Sequence, residues 1–73
     1  MTAWGIIYGY MISNEIKSIR ELSDLTGIPE GTLVKRKDNP REFRFWELSQ
    51  ISAELKMSTD DWHKLVDAIK EGK

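Results

Sequence analysis

The chain has no cysteine, so neither a disulfide nor a thiolate zinc site can supplement its core, and a reducing, cytoplasmic setting is the expectation. Its one histidine, His63, has no second imidazole to share a metal and no thiol to activate. Two prolines and five glycines exclude a collagen-like or low-complexity chain. With 40% hydrophobic and 32% charged residues, the composition is that of a globule rather than a disordered tail. The longest apolar stretch, Ala3 to Ile12, is too short to span a bilayer, and it carries neither a basic leader nor a small-residue cleavage site, so no targeting signal and no membrane partner are expected. Nor does one sign of charge prevail. Eleven Lys and Arg against twelve Asp and Glu give a net charge of -1, so attraction to a polyanion has to come from a local cluster.

What is present fits one small all-α domain spanning residues 1–73. Size scaling assigns a chain of 73 residues a folded surface of about 4,700 Å², with about 60% of the unfolded surface buried, enough for one modest core. Charge is uneven along it. Residues 35–44 hold Lys35, Arg36, Lys37, Arg41 and Arg44 against Asp38 and Glu42, a net +3, while the segments on either side are each acidic.

Trp4, Ile7, Tyr8, Met11 and Ile12 recur at helical spacing and predict a first helix of about ten to fourteen residues that ends at Ser13 and Asn14. Ala3, Ile6 and Tyr10 lie beside that stripe, and the remaining sector is Gly5 and Gly9, so over three turns there is hardly any polar surface. The helix is therefore expected to be buried on more than one side, either as a central core helix or, through Ile6 and Tyr10, as the interface with a homodimer mate or another protein. Ser18 and Glu21 form a capping box ahead of Leu22 and Leu25, and Gly27 stands where a left-handed C-terminal residue is wanted. Ile28 and Pro29 follow, with proline at the first position of a helix that runs to about Lys37 before Asp38, Asn39 and Pro40 stop it. Phe43, Leu48, Ile51 and Leu55 place a fourth helix from about Phe45 to Lys56, with Trp46 near its start. Ser58 and Asp61 open a fifth, whose stripe is Trp62, Leu65, Val66 and Ile69 and whose end is Gly72. No strand pattern, repeat or long linker interrupts this order.

Catalysis needs converging groups, and the sequence supplies none. Asp60 and Asp61 are adjacent, but neighbouring helix residues point about 100° apart, which suits a first turn favoured by the helix dipole rather than an acid/base pair. Phosphate-loop and dinucleotide fingerprints are absent. The chain is therefore not expected to be an enzyme or to take a cofactor or a metal.

Ser18 to Lys37, by contrast, has the layout of a helix-turn-helix: two short helices, a glycine in the turn, and Leu22, Ile28 and Leu33 placed to hold the pair at a fixed angle. From Ser18 to Ser58 the chain resembles the Cro/repressor (XRE) family of phage and bacterial helix-turn-helix regulators. The residues that carry the likeness are Glu21-Leu22-Ser23, Thr26-Gly27-Ile28, Gly31-Thr32-Leu33, Lys35-Arg36, Asn39-Pro40, Phe43, Glu47-Leu48, Ile51 and Leu55-Lys56-Met57-Ser58. The stretch from Gly31 to Leu55 is similar to a short-loop branch in phages of low-GC Gram-positive hosts.

The resemblance implies a compact five-helix, lambda-repressor-like DNA-binding domain working in transcription regulation in a bacterial cytoplasm. It places base-reading groups at Pro29, Glu30 and Gly31 with Lys35 one turn on, and phosphate contacts at Thr32, Lys37, Arg41 and Arg44. Lys35 is suited to guanine and Glu30 to cytosine. Arg36 stands where the family often has an apolar residue, which implies a carboxylate or carbonyl partner inside the domain. Two partners follow as expectations: double-stranded operator DNA bound by a Cro-like repressor, with a homodimer spanning two half-sites, or a phage repressor protein whose DNA binding a small antirepressor blocks.

Overall fold

In a computed structural model describing residues 1–73, α1 (Ala3–Ser13) and α5 (Thr59–Lys70) pack on each other and close the two ends of the chain together, the Ala3 N–H donating to the Lys73 carbonyl at 2.8 Å. Between them come α2 (Ile19–Thr26), α3 (Glu30–Asp38), a 3-10 turn at Pro40–Glu42, and α4 (Phe45–Leu55). There is no strand, and no helix is long and apolar enough to cross a membrane. The molecule measures 27 × 23 × 19 Å and exposes 4690 Å², the surface that its length calls for.

The helix starts follow side-chain capping. Thr2 accepts from the Gly5 N–H, Ser18 from Glu21 and Ser58 from Asp61, each satisfying one amide that the first turn leaves free. Glu21 does not close the expected reciprocal box on Ser18; its carboxylate accepts the N–H of Lys17, one residue before the cap, at 2.7 Å. Pro29 sits one position earlier than expected, as the cap of α3 rather than its first residue.

Four of the five helix ends share one device. After α1, α2, α4 and α5 a residue takes the left-handed conformation: Glu15, Gly27, Lys56 and Gly72. Behind Glu15 the Ile16 N–H reaches back to Met11 and the Glu15 N–H to Ile12, and behind Lys56 the same pair of bonds runs from Met57 to Ser52 and from Lys56 to Ala53. Glycine adopts this geometry without a Cβ penalty; glutamate and lysine do not.

One core joins all five helices. It comprises Ala3, Ile6, Ile7, Met11 and Ile16, then Leu22, Ile28 and Leu33, then Leu48, Ile51 and Leu55, with Leu65 and Ala68 from α5. The structure corrects the expected face of α1. Ile6, only 6% exposed, belongs to the monomer core, and Tyr10 is half-buried with its hydroxyl engaged on α5, whereas Tyr8 and Ile12 of the expected core stripe point outward. Ile6 and Tyr10 are therefore not a free second surface. A helix apolar on nearly every side gives periodicity nothing to orient, so the rotation was set by the shape of what α1 packs against.

Two stability measurements test this packing. Leu33→Ala or Leu48→Ala is expected to lower the unfolding free energy by about 2–5 kcal/mol, and Ile6→Glu to unfold the domain rather than merely change its association state. Lys56→Gly is expected to raise it by about 0.5–1 kcal/mol, the relief of the left-handed residue less glycine's own entropic cost. Urea melts with an unchanged slope check both.

Candidate functional site

The pair formed by α2 and α3 is held at its turn by side chains of the turn itself. Gly27 supplies the left-handed bend at φ 76°. The Ser23 hydroxyl donates to the Ile28 carbonyl at 2.6 Å, and the buried Thr26 hydroxyl donates to Leu22 while accepting the Ile28 N–H. Leu22, Ile28 and Leu33 are fully buried beneath it. The Gln50 amide of α4 reaches the Thr26 carbonyl, so the turn is tied to the rest of the domain as well.

The second tie lies on the other side of α3. Glu47, in the first turn of α4 and 1% exposed, receives the Arg36 guanidinium on both oxygens, at 2.9 and 3.2 Å. One of those oxygens also accepts the Arg44 N–H at 2.9 Å and so caps α4. Burial pushes the Glu47 carboxyl up, but the Arg36 hydrogen bonds and charge and the Arg44 N–H outweigh it and hold the group below the usual glutamate range. This is the carboxylate partner implied for Arg36. The planar fork of arginine matches a carboxylate in a way that a lysine ammonium does not.

With its inner side locked, α3 presents Glu30, Gly31, Val34, Lys35 and Asp38 to solvent, and Pro29 and Lys37 are exposed at its two ends. Thr32 is half-buried on the flank. Space over Gly31 is open: a Cβ there would meet nothing within 4 Å. Arg44 is exposed at the start of α4, joined to α3 through Glu47 and Arg36. Arg41 is drawn elsewhere. Its guanidinium donates to the Lys70 carbonyl at 3.1 Å and lies against Gly72, where it satisfies the C-terminal end of α5. The basic run of residues 35–44 is thus divided by the fold: Lys35, Lys37 and Arg44 surround α3, Arg36 is internal, and Arg41 caps a helix.

Three exposed apolar residues escaped the sequence reading of this region. Val34 is on the outer face of α3 although it follows a core leucine, and Phe45 and Trp46 open α4 beside Arg44. Phe45 meets Trp62 edge-on, with ring centroids 6.4 Å apart. An aromatic pair following the 3-10 turn signalled a helix start, and nothing in its spacing signalled exposure. Asp60 and Asp61 behave as a charged first turn. The Tyr10 hydroxyl donates to Asp61, and this bond, with one from Ser58, holds the Asp61 carboxyl below its ordinary range. No three of the His, Asp and Glu side chains gather as a metal site.

Removing one member of the α3–α4 lock leaves a buried charge alone. Glu47→Ala or Arg36→Ala is therefore expected to cost about 3–5 kcal/mol, while the double exchange of Glu47→Leu with Arg36→Met recovers most of it. Because the Glu47 carboxyl titrates lower in the folded state than in the unfolded one, its contribution is fully present above the ordinary glutamate range and is lost as pH falls through the folded value. Chemical melts at stepwise lower pH should show this loss in the parent and a shallower acid limb in Glu47→Gln.

No family model, curated protein or solved structure matches this chain.

Proposed function

We propose that the domain is a Cro-like transcriptional regulator of phage type, with a lambda-repressor-like helix-turn-helix that lays α3 in the major groove of operator DNA. The observation that carries this reading is the placement of α3: both of its inner edges are pinned, by the Leu22–Ile28–Leu33 core and by Arg36–Glu47, while its outer face is free and edged by Lys35, Lys37 and Arg44. A groove reader needs that rigidity, since a bidentate base contact is lost when the helix tilts. Glu30 and Lys35 supply an acceptor and a donor for cytosine and guanine, and Val34 an apolar surface for a thymine methyl. Gly31, with no side chain, lets the backbone come close to the groove floor. Pro29, at the cap of α3, pre-sets the entry of the chain, and the Thr32 hydroxyl, Lys37 and Arg44 lie where phosphates would pass. Two copies reading half-sites one helical turn apart would repress by excluding polymerase from a promoter.

A second reading, an antirepressor that binds a phage repressor protein, draws on the same face. Glu30 and Asp38 put two carboxylates beside the single ammonium of Lys35, and Arg41 is committed to α5. A partner's basic DNA-reading surface would find charge complementarity there.

Titration of fluorescent duplexes, taken from the upstream intergenic region and from unrelated sequence, separates the two. For a DNA reader, affinity falls steeply with salt, Lys37→Ala or Arg44→Ala lowers the log–log slope by about one, and Arg41→Ala leaves that slope unchanged because its guanidinium serves α5. Lys35→Ala should relax sequence preference at a cost of about 1–3 kcal/mol. Absence of binding even at low salt, with tight binding to a repressor encoded next to this chain, would replace the first reading by the second.

A further inference from the structure

From Ala3 to Ser13, α1 contains no charged residue, yet one flank of it is uncovered: Gly5, Tyr8, Gly9 and Ile12 face solvent, with Tyr8 53% and Ile12 61% exposed. A groove of about 720 Å³ runs beside this flank between the end of α1 and the start of α2, lined by Tyr8, Ile12 and the buried Ile16 and bordered by Glu15, Lys17 and Glu21. A second groove, of about 430 Å³, lies along the other side, past Gly5 and Gly9 to Tyr10 and Asp61. Nothing in the molecule stands over Gly9, where an added Cβ would have no neighbour within 4 Å, whereas the Thr2 and Met1 side chains stand over Gly5. The result is a low, uncharged ridge about two turns long, about 12 Å, between two hollows, a shape into which the ridges of another helix pack.

The charges around it select the occupant. Glu15 and Glu21 border one groove against the single cation Lys17, while Asp61, at the other, already has the bonds from Tyr10 and Ser58 and the Lys64 ammonium at 3.8 Å. A second copy of this chain would bring an α1 with no cation and the same carboxylates around one apolar seam. An anionic lipid surface would be repelled in the same way. We propose that this flank is a docking surface for a basic amphipathic helix of a partner protein, its apolar stripe on Tyr8, Gly9 and Ile12 and its Lys or Arg side chains against Glu15 and Glu21. The binding mode is helix-in-groove, with anchors three and four residues apart. It uses none of the residues on the outer face of α3, so loss of one surface leaves the other intact.

The probe is a synthetic amphipathic helix of about 18 residues made of Leu and Lys, compared with the same peptide carrying Glu for every Lys, each titrated into the isotope-labelled full chain. The Leu/Lys peptide is expected to shift the amide signals of Gly5, Tyr8, Gly9 and Ile12, to bind more weakly as salt rises, and to bind at least about tenfold more weakly to Ile12→Asp or Ile12→Ser, both at an exposed position that leaves the core intact. Glu15→Lys should weaken that peptide and strengthen the Leu/Glu one. Equal binding of the two peptides, shifts confined to other surfaces, or no shifts at all would overturn the proposal. So would concentration-dependent shifts at the same four residues without peptide, since they would assign the flank to a second copy.

Discussion

A single buried carboxylate organises the half of this domain that faces outward. Glu47 receives both arms of Arg36 from α3 and caps its own helix at Arg44, so the orientation of α3, the start of α4 and the path of the chain between them depend on the same two oxygens. Such a pair is not chosen for raw stability, because apolar side chains of equal volume commonly serve as well. What it contributes is geometry. Two parallel hydrogen bonds fix the rotation of α3 about its axis, which an oily contact leaves free to slip.

That fixed rotation decides which residues α3 shows to solvent, and it sorts the cations. Arg36 and Lys35 are neighbours in sequence but point in different directions from the helix, one as an internal strut and the other as a free ammonium. Arg41, five residues further on, is taken by the end of α5, where unpaired carbonyls offer an arginine more than open solvent does. The local excess of positive charge in the sequence therefore overstates the charge that a ligand at α3 meets.

The opposite side of the molecule follows a different logic. Here α1 is held by shape, its small Ala3 and its Ile6, Ile7 and Met11 set into the space between α4 and α5, and by the Tyr10 hydroxyl on Asp61. The flank left over carries no charge, which distinguishes α1 from α2 and α5, whose outer surfaces are charged. An uncovered apolar ridge is costly to leave in water, and the carboxylates of Glu15 and Glu21 beside it are the physical ground for assigning it a cationic helical partner.

The number, order and approximate limits of the helices are legible along the chain, because each helix carries local signals that need no tertiary partner: Ser18 and Ser58 as caps, Gly27 and Gly72 as left-handed ends, Pro40 as a stop. The buried trio of Leu22, Ile28 and Leu33 is legible too, since apolar residues either side of a short turn have nowhere else to go. The left-handed ends at Glu15 and Lys56 were invisible, as neither residue favours that conformation and only the packing of the following segment imposes it. Which side of α1 is buried could not be read from a stripe with no polar edge. Of the candidate site, the residue types were legible, and so was the need of Arg36 for an internal carboxylate or carbonyl, but most roles were not: the fold alone chose Glu47 for Arg36 and made Arg41 a cap, Ile6 a core residue and Val34 a surface one, because partners such as Glu47 and the carbonyl end of α5 lie many residues away along the chain and meet these side chains only after it has folded.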